Sequence, residues 1–457
     1  MSRHLWLLAL LTLSATASAR TLGNLEFSSC TLTSEAGVGS VDAYCSTLEV
    51  PENHRAPEGK KITLSLAWIA PSDGEALPDP VFMIAGGPGQ SAKNSYPMVA
   101  RAFSDIVKHR NVILLDQRGT GDSNLLTCES ELDASQMMDE ALMKAYAETC
   151  LATLQKTSDL RYYTTSDAII DLNLVREAIG AETLNLVGIS YGTRVAQQYA
   201  KAYPHTVRSV VLDGVVPNTL VLGQDHAKNL DAALAAQFEQ CQKSEVCDEK
   251  MGDPRETYRQ LAAELNAAPR EVRYRDATTG EPRQDLLSAD MLSMVVRLYA
   301  YSPNTASTLP LFLHQLKEGH NDAALAQAKF MMSSLSSSMA HGMSWAVTCS
   351  EDSEELIVDP TDADTVMGTS FVQSIKEQCQ LVPKGERPAD FRTPLQGDIP
   401  VLLVSGQLDP VTPPRYGDEV LASLSNAKHL VLNGQGHNVI SVGCMPKLMA
   451  KFLETAD

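Results

Sequence analysis

Leu184-Asn185-Leu186-Val187-Gly188-Ile189-Ser190-Tyr191-Gly192-Thr193-Arg194-Val195-Ala196-Gln197-Gln198-Tyr199-Ala200 is the stretch whose reading decides the fold. Residues 184–187 form an apolar run of strand type, and 193–200 carry a helical pattern. Between them stands Gly-x-Ser-x-Gly, residues 188–192. Strand, Gly-x-Ser-x-Gly and helix in that order predict a nucleophile elbow, a sharp turn that lifts a serine hydroxyl out of the sheet. Only glycines allow the close packing such a turn demands. The bare pattern is short and recurs by chance, so its weight comes from its context.

That context is an alternation of strands and helices from about residue 47 to 216. Lys61 to Ala70, Pro80 to Ala85 and Asn111 to Asp116 read as strands, the last closed by the turn Gln117-Arg118-Gly119-Thr120-Gly121. Ser166 to Ile179 reads as a helix, with Ala168, Ile169, Leu172, Val175 and Ile179 at helical spacing. After the elbow comes another strand, Val207 to Leu212. The alternation predicts an α/β fold with a mostly parallel sheet covered by helices on both faces. From Pro217 to about Pro394 the rhythm breaks. Helices are expected over Asp225 to Gln242, Pro254 to Ala268, Leu287 to Tyr301, Leu309 to Glu318 and Asp322 to Ser338, with one hairpin around Val272 to Arg283. The core pattern then resumes with strands at Pro400 to Val404 and Ala427 to Leu432 and a helix from about Val442 to Leu453. The expected organisation is a core of residues 20–216 and 398–457, interrupted by a large helical lid over 217–397.

The chain has 457 residues and a formal net charge of −19, from 37 Lys and Arg against 56 Asp and Glu. Such a surface repels nucleic acid and anionic membranes, so neither is expected as a partner. Residues 1–19 read as a secretory signal: Arg3 at the start, an apolar stretch from Leu5 to Leu13, and Ala17-Ser18-Ala19 as the cleavage site. That stretch falls well short of the ~20 residues that span a bilayer. Cleavage after Ala19 and export to the periplasm or the medium are expected. Export makes disulfides reasonable for the nine cysteines. Connectivity does not follow from sequence. Pairing neighbours gives Cys30–Cys45, Cys128–Cys150, Cys241–Cys247 and Cys349–Cys379, with Cys444 left over. There is no paired Cys-x-x-Cys and no His-Glu-x-x-His, so no metal or cofactor is expected.

A serine becomes a nucleophile when a base takes its proton and an acid fixes the tautomer of that base. In α/β-hydrolases the chain order is Ser, then Asp or Glu, then His. Ser190, Asp409 and His437 stand in that order, Asp409 just past one strand and His437 in the glycine-rich loop after the next. Loops of this kind lie at the carboxyl edge of a parallel sheet, where ligands bind. Asp213 follows the strand after the elbow and is a lower-ranked alternative acid. His205, His314 and His429 lack this context. An oxyanion hole needs two backbone N–H groups. Tyr191, next after the serine, supplies one, and Gly87 in the loop Ala85-Gly86-Gly87-Pro88-Gly89-Gln90-Ser91 supplies the other.

These motifs carry a family resemblance. Gly86-Gly87-Pro88-Gly89 with Ser91, the turn Asp116-Gln117-Arg118-Gly119-Thr120-Gly121-Asp122-Ser123, and Gly188-Ile189-Ser190-Tyr191-Gly192-Thr193 resemble the prolyl aminopeptidase group of α/β-hydrolases. The block from Pro400 to Pro413 and Gly434-Gln435-Gly436-His437 look most like its secreted tripeptidyl aminopeptidase-like branch. One departure is Ala85, where many prolyl aminopeptidases have His; this weakens a strictly proline-specific reading. The resemblance implies release of short peptides, or of a proline-type residue, from peptides with a free N-terminus. A carboxylate must then receive the substrate ammonium. Within Thr348-Cys349-Ser350-Glu351-Asp352, which resembles a recurring element of that branch, Glu351 is the first candidate and Asp352 the second. A secreted carboxylesterase would use the same chemistry on other substrates. A non-catalytic binding protein on a hydrolase fold is disfavoured because all three triad positions are filled.

Overall fold

Strands that are apolar on both faces need cover on both sides, and this requirement arranges the molecule. The computed structural model describes residues 19–34, 39–129, 132, 136 and 140–456. The expected signal segment up to Ser18 lies outside them. The strands are β1 (Arg20–Leu22), β2 (Leu25–Thr33), β3 (Ser40–Pro51), β4 (Lys61–Ile69), β5 (Val81–Ile84), β6 (Val112–Leu115), β7 (Leu184–Ile189), β8 (Val207–Asp213), β9 (Arg270–Arg275), β10 (Pro282–Leu287), β11 (Val401–Gly406) and β12 (Ala427–Leu432). Ten of them form one sheet in the order β1-β2-β3-β4-β6-β5-β7-β8-β11-β12. From β6 to β12 every neighbouring pair is parallel.

β5, β6, β7 and β11 are buried along their whole length. Their side chains alternate between two apolar clusters. Phe82, Ile84, Ile113, Leu115, Leu184 and Leu186 join one; Val81, Met83, Val112, Leu114, Val187 and Ile189 join the other. The helices Thr165–Ala178 and Tyr191–Ala202 close the first face through Leu172, Val175, Val195 and Tyr199. The helices Ala92–Val99 and Met445–Thr455 close the second through Tyr96, Met449 and Phe452. Thr164 starts the helix at Thr165 with a capping box: its hydroxyl receives the Asp167 N–H while the Asp167 carboxylate receives the Thr164 N–H.

The sheet extends further than the sequence reading foresaw. β1, β2 and β3 run antiparallel ahead of β4, which is itself antiparallel to β6. β2 and β3 are rich in Ser, Thr and half-exposed residues, so their period-2 pattern is faint. Cys30 and Cys45 join them by a disulfide, and Cys128–Cys150, Cys241–Cys247 and Cys349–Cys379 are also bonded. These are the pairs given by joining neighbours in sequence. Cys444 is exposed and unpaired.

Between β8 and β11 no strand joins the large sheet. β9 and β10 pair only with each other. The helices His226–Gln242, Pro254–Ala267, Ala289–Ala300, Leu309–Lys317 and Asn321–Ser337 enclose a third apolar cluster containing Leu234, Leu261, Val295, Leu313 and Leu325. Four further helices, Glu245–Met251, Pro303–Ala306, His341–Glu351 and Ser370–Gln378, were not anticipated. His341–Glu351 is rich in Gly, Ser, Val, Thr and Cys, all weak helix formers, and burial of Met343, Trp345, Ala346 and Cys349 holds it. No described helix is long and apolar enough to cross a membrane.

Arg118, in the turn after β6, is with Arg194 one of the two largest fully buried side chains. Its Nε donates to Asp171 Oδ2 at 2.6 Å and its Nη2 to Oδ1 at 2.7 Å. Further donations reach the carbonyls of Glu52 and Tyr162. This pair fixes the turn against the helix Thr165–Ala178. Removing one partner strands a buried charge, at about 3–5 kcal/mol. Asp171→Ala is expected to lower the unfolding free energy by about that amount in a urea titration; a change under about 1 kcal/mol would show that the guanidinium is solvated there.

Candidate active site

The carboxyl ends of β5, β7, β8, β11 and β12 meet at one edge of the sheet, and Ser190, Asp409 and His437 follow β7, β11 and β12 there. Ser190 follows β7 with φ 56° and ψ −123°, a backbone state that costs a non-glycine residue of order 1–3 kcal/mol. The turn is tight enough to exclude side chains on both flanks. A Cβ on Gly188 would sit 2.5 Å from the Gly192 carbonyl oxygen, and one on Gly192 would strike the carbonyl of Ile84. The Ser190 N–H donates to the Asp213 carbonyl at 2.8 Å, which ties the turn to the end of β8. Tyr191 opens the following helix, where the first N–H groups have no partner within the helix.

His437 lies in the loop after β12. Its Nδ1 is 2.8 Å from Asp409 Oδ2. A carboxylate only accepts, so this bond places the proton on Nδ1 and leaves Nε2 as an acceptor. Asp409 is held in turn. Oδ1 accepts the N–H groups of Val411 and Thr412, both at 2.8 Å, and Oδ2 accepts the Thr412 hydroxyl at 2.8 Å. Burial pushes Asp409 upward, but His437 and these N–H donors outweigh it and hold the carboxyl below its ordinary value. Burial likewise pushes His437 downward, but Asp409, seconded by Asp213, raises the ring above its ordinary 6.5. The imidazole lies over the exit of β8: a Cβ on Gly214 would be 3.0 Å from His437 Cε1. Ser190 and His437 are therefore both anchored on residues 213 and 214.

Gly86 lies beside the serine, and Gly87 follows it in the same loop. A Cβ on Gly86 would be 3.0 Å from Ser190 Cβ. Behind this loop Asp116 acts as a post: it accepts the Ser91 hydroxyl at 2.6 Å and the Lys93 N–H at 3.1 Å. Asp213, the alternative acid, points elsewhere. Its carboxylate accepts the N–H groups of Val439 and Ile440 at 2.9–3.1 Å and so anchors the loop that follows His437. Burial raises it to about 6.

Glu351 and Asp352 differ from their expected place. An acid that receives a substrate ammonium must present free oxygens to the site. Glu351 is buried, with Oε1 accepting the Thr165 N–H at 2.6 Å and Oε2 the Thr165 hydroxyl at 2.8 Å. Asp352 is also buried and accepts from Arg194 at 2.9 Å, the Leu222 N–H at 2.9 Å and Arg392 at 2.8 Å. Burial and the neighbouring Asp352 push Glu351 up to about 7, against the pull of Arg194 and Thr165. Both acids thus clamp the helix after the elbow, through Arg194 and through Thr165, whose hydroxyl also bonds the Tyr191 hydroxyl at 2.7 Å. Nothing in the acidic pair itself separates a clamp from a ligand; the signal was Arg194, four residues past the serine.

Residues that the sequence reading did not single out complete the surroundings. The Tyr301 carbonyl accepts the His437 N–H at 2.8 Å, and its ring meets the imidazole edge-on at 5.4 Å. The Ala340 N–H donates to the Gly89 carbonyl at 2.9 Å. Thr412, beside Asp409, sits 3.1 Å from His437 Nδ1. Among the described residues no group of three or more His, Cys, Asp or Glu is placed to hold a metal ion.

Comparison with known proteins gives the family. Residues 79–443 match the α/β-hydrolase fold family. The serine protease Hip1 of Mycobacterium tuberculosis is 26% identical over 451 residues, covering 90% of this chain and 85% of the relative. The tripeptidyl aminopeptidase of Streptomyces lividans is 27% identical over 195 residues, 38% of this chain and 35% of the relative. A probable proline iminopeptidase of Streptomyces coelicolor is 30% identical over 136 residues, 30% and 32% of the two chains. The chain belongs to the α/β-hydrolase fold family. Within it, the protein is a serine hydrolase whose relatives include a serine protease and aminopeptidases.

The opposed influences on His437 have a measurable consequence. With Asp409 present the ring is expected to titrate above 6.5 by imidazole NMR. In Asp409→Asn burial is left with much less opposition, and the midpoint should move down. An unchanged midpoint would mean that Asp409 does not set the charge of the ring.

Proposed function

We propose that the protein is an exported serine peptidase that acts at the free N-terminus of peptides, with Ser190, His437 and Asp409 as its triad. The observation that carries the reading is the Asp409–His437 bond, which leaves Nε2 as a base over the β8 exit to which Ser190 is tied. Ser190 Oγ attacks the scissile carbonyl as His437 Nε2 takes its proton. Asp409 orients the imidazole and stabilises its cation. The N–H groups of Gly87 and Tyr191 receive the oxyanion. His437 then protonates the leaving amine, and water attacks the acyl-serine with His437 again as base.

The segment 217–397 acts as a lid over this edge. Its Tyr301 and Ala340 touch the His437 loop and the Gly86–Gly89 loop. Preference for a free N-terminus rests on the aminopeptidase relatives, because Glu351 and Asp352 are engaged inside. Export is supported by the four disulfides together with the leader-like start of the chain.

The test is hydrolysis of a tripeptide anilide with a free amine, against the same peptide N-acetylated. The free peptide alone should be cut, and Ser190→Ala should lose at least about 10⁴-fold in kcat. Equal cleavage of both peptides would remove the N-terminal preference. Cleavage of simple esters only would make the protein a carboxylesterase. Glu351→Gln supplies a separate check. As a clamp on the elbow helix it should depress ester and peptide turnover alike, whereas an ammonium receptor would lose peptides selectively.

A further inference from the structure

Tyr191 stands next to Ser190, and its side chain is buried. The phenol oxygen lies 2.7 Å from the Thr165 hydroxyl, and that hydroxyl donates to Glu351 Oε2 at 2.8 Å. Glu351 Oε1 accepts the Thr165 N–H at 2.6 Å. A chain of hydrogen bonds therefore runs from the residue beside the nucleophile to a carboxyl group. It crosses three helices, Tyr191–Ala202, Thr165–Ala178 and His341–Glu351. Tyr191, Thr165 and Glu351 are each at most 2% exposed.

The direction of this chain depends on the charge of Glu351. A carboxylate only accepts, so the Thr165 hydroxyl gives its single proton to Oε2 and accepts from the phenol. Tyr191 is then a donor at a fixed place. The neutral acid carries its proton on Oε2, because Oε1 faces the Thr165 N–H. Oε2 then donates to Thr165, the Thr165 proton turns to the phenol oxygen, and the phenol proton loses this acceptor. A buried donor left unmet is costly, and here the cost falls on the residue whose own N–H adjoins Ser190.

The surroundings bring the two forms close to balance. Burial, the adjacent Asp352 and the C-terminal end of its own helix oppose the carboxylate. Arg194, with Nη1 at 3.9 Å, the two Thr165 bonds and the N-terminus of the helix that Thr165 opens favour it. Arg387 and Arg392 donate to the Glu351 carbonyl. Burial keeps the Tyr191 phenol protonated. The carboxyl is pushed up to about 7, so both of its forms are populated near neutral pH. A glutamine would fill the same volume without bringing a charge into the core, so a tie between helices does not by itself call for an acid.

We propose that Glu351 is a positioning residue for the Tyr191 N–H of the oxyanion hole, that it acts through the Thr165 hydroxyl, and that it does so as the carboxylate alone. The inference rests on the reading of Ser190 as nucleophile and Tyr191 as oxyanion donor, and it adds a proton to that reading. Uptake of one proton at Glu351 slackens the hole, separately from protonation of His437. The effect is common to peptide and ester substrates, because the chain ends on the enzyme's own oxyanion donor.

Labelling of the serine by a fluorophosphonate tests it, since that reaction needs the nucleophile and the hole but no particular substrate. The second-order rate would be followed from about pH 5 to about pH 9 in native, Glu351→Gln, Thr165→Val and Thr165→Ser proteins. Glu351→Gln fixes the side chain in a neutral form. At the alkaline end it should react at least about fivefold more slowly than the native protein. Towards the acid end the ratio should fall to within about twofold, because the native carboxyl is neutral there too. The titration of His437 is common to both proteins and cancels from the ratio. Thr165→Val should show the same converging ratio, and Thr165→Ser should keep the native profile. Thr165→Val added to Glu351→Gln should cost no more than about twofold further, since both break one chain. A ratio that stays constant with pH would make Glu351 a structural tie and overturn the inference, as would a native profile in Thr165→Val protein. Should Glu351→Gln fail to fold, the Thr165→Val and Thr165→Ser pair decides in the same way. Equal labelling of native and Ser190→Ala protein would overturn the site reading itself, and the inference with it.

Discussion

The structure depends on a backbone held where it would not go by itself. Ser190 occupies a positive-φ state, and two things keep it there. β7 is paired on both sides, with β5 and β8, so the strand cannot shift to relieve the turn. The helix after the turn is pressed so closely on the end of β5 that Gly192 has no room for a Cβ. The same helix is clamped through its own Arg194, which pairs with Asp352 and lies close to Glu351. Strain at the serine is thus balanced by packing and by buried charge, rather than by any interaction of the serine side chain.

A second dependence runs through β8. Its last residue, Asp213, gives its carbonyl to the Ser190 N–H and its carboxylate to the N–H groups of Val439 and Ile440. One residue therefore sets the height of the nucleophile turn and the course of the histidine loop. In this chain the carboxylate at the end of β8 positions a loop, while the one after β11, Asp409, bonds the imidazole. Their environments differ accordingly: Asp409 is held low by His437 and by N–H donors, and Asp213 is raised by burial.

The core was legible in the sequence because its signals are local. An apolar run, a glycine-flanked serine and a helical period lie within 17 consecutive residues, and Asp409 and His437 each follow a strand of unbroken apolar character or a glycine turn. What stayed hidden depends on partners distant in sequence. β2 and β3 look polar because one side of each meets solvent. His341–Glu351 has poor helical propensity and takes its form from the core it enters. Glu351 and Asp352 looked like ligands because a carboxylate pair reads the same whether it meets substrate or Arg194, which stands 157 and 158 residues earlier. Tyr301 carried no motif at all; its place follows from the end of a helix docked on the histidine loop.

The bond from the His437 N–H to the Tyr301 carbonyl joins the loop of the imidazole to the end of a helix in the overlying segment. A hinge placed along that seam would deprive the histidine loop of its acceptor each time it opened. The molecule cannot part there and remain armed. The wall bearing Tyr301 and the loop bearing the imidazole are thus tied into one body, fixed masonry rather than a door in its frame.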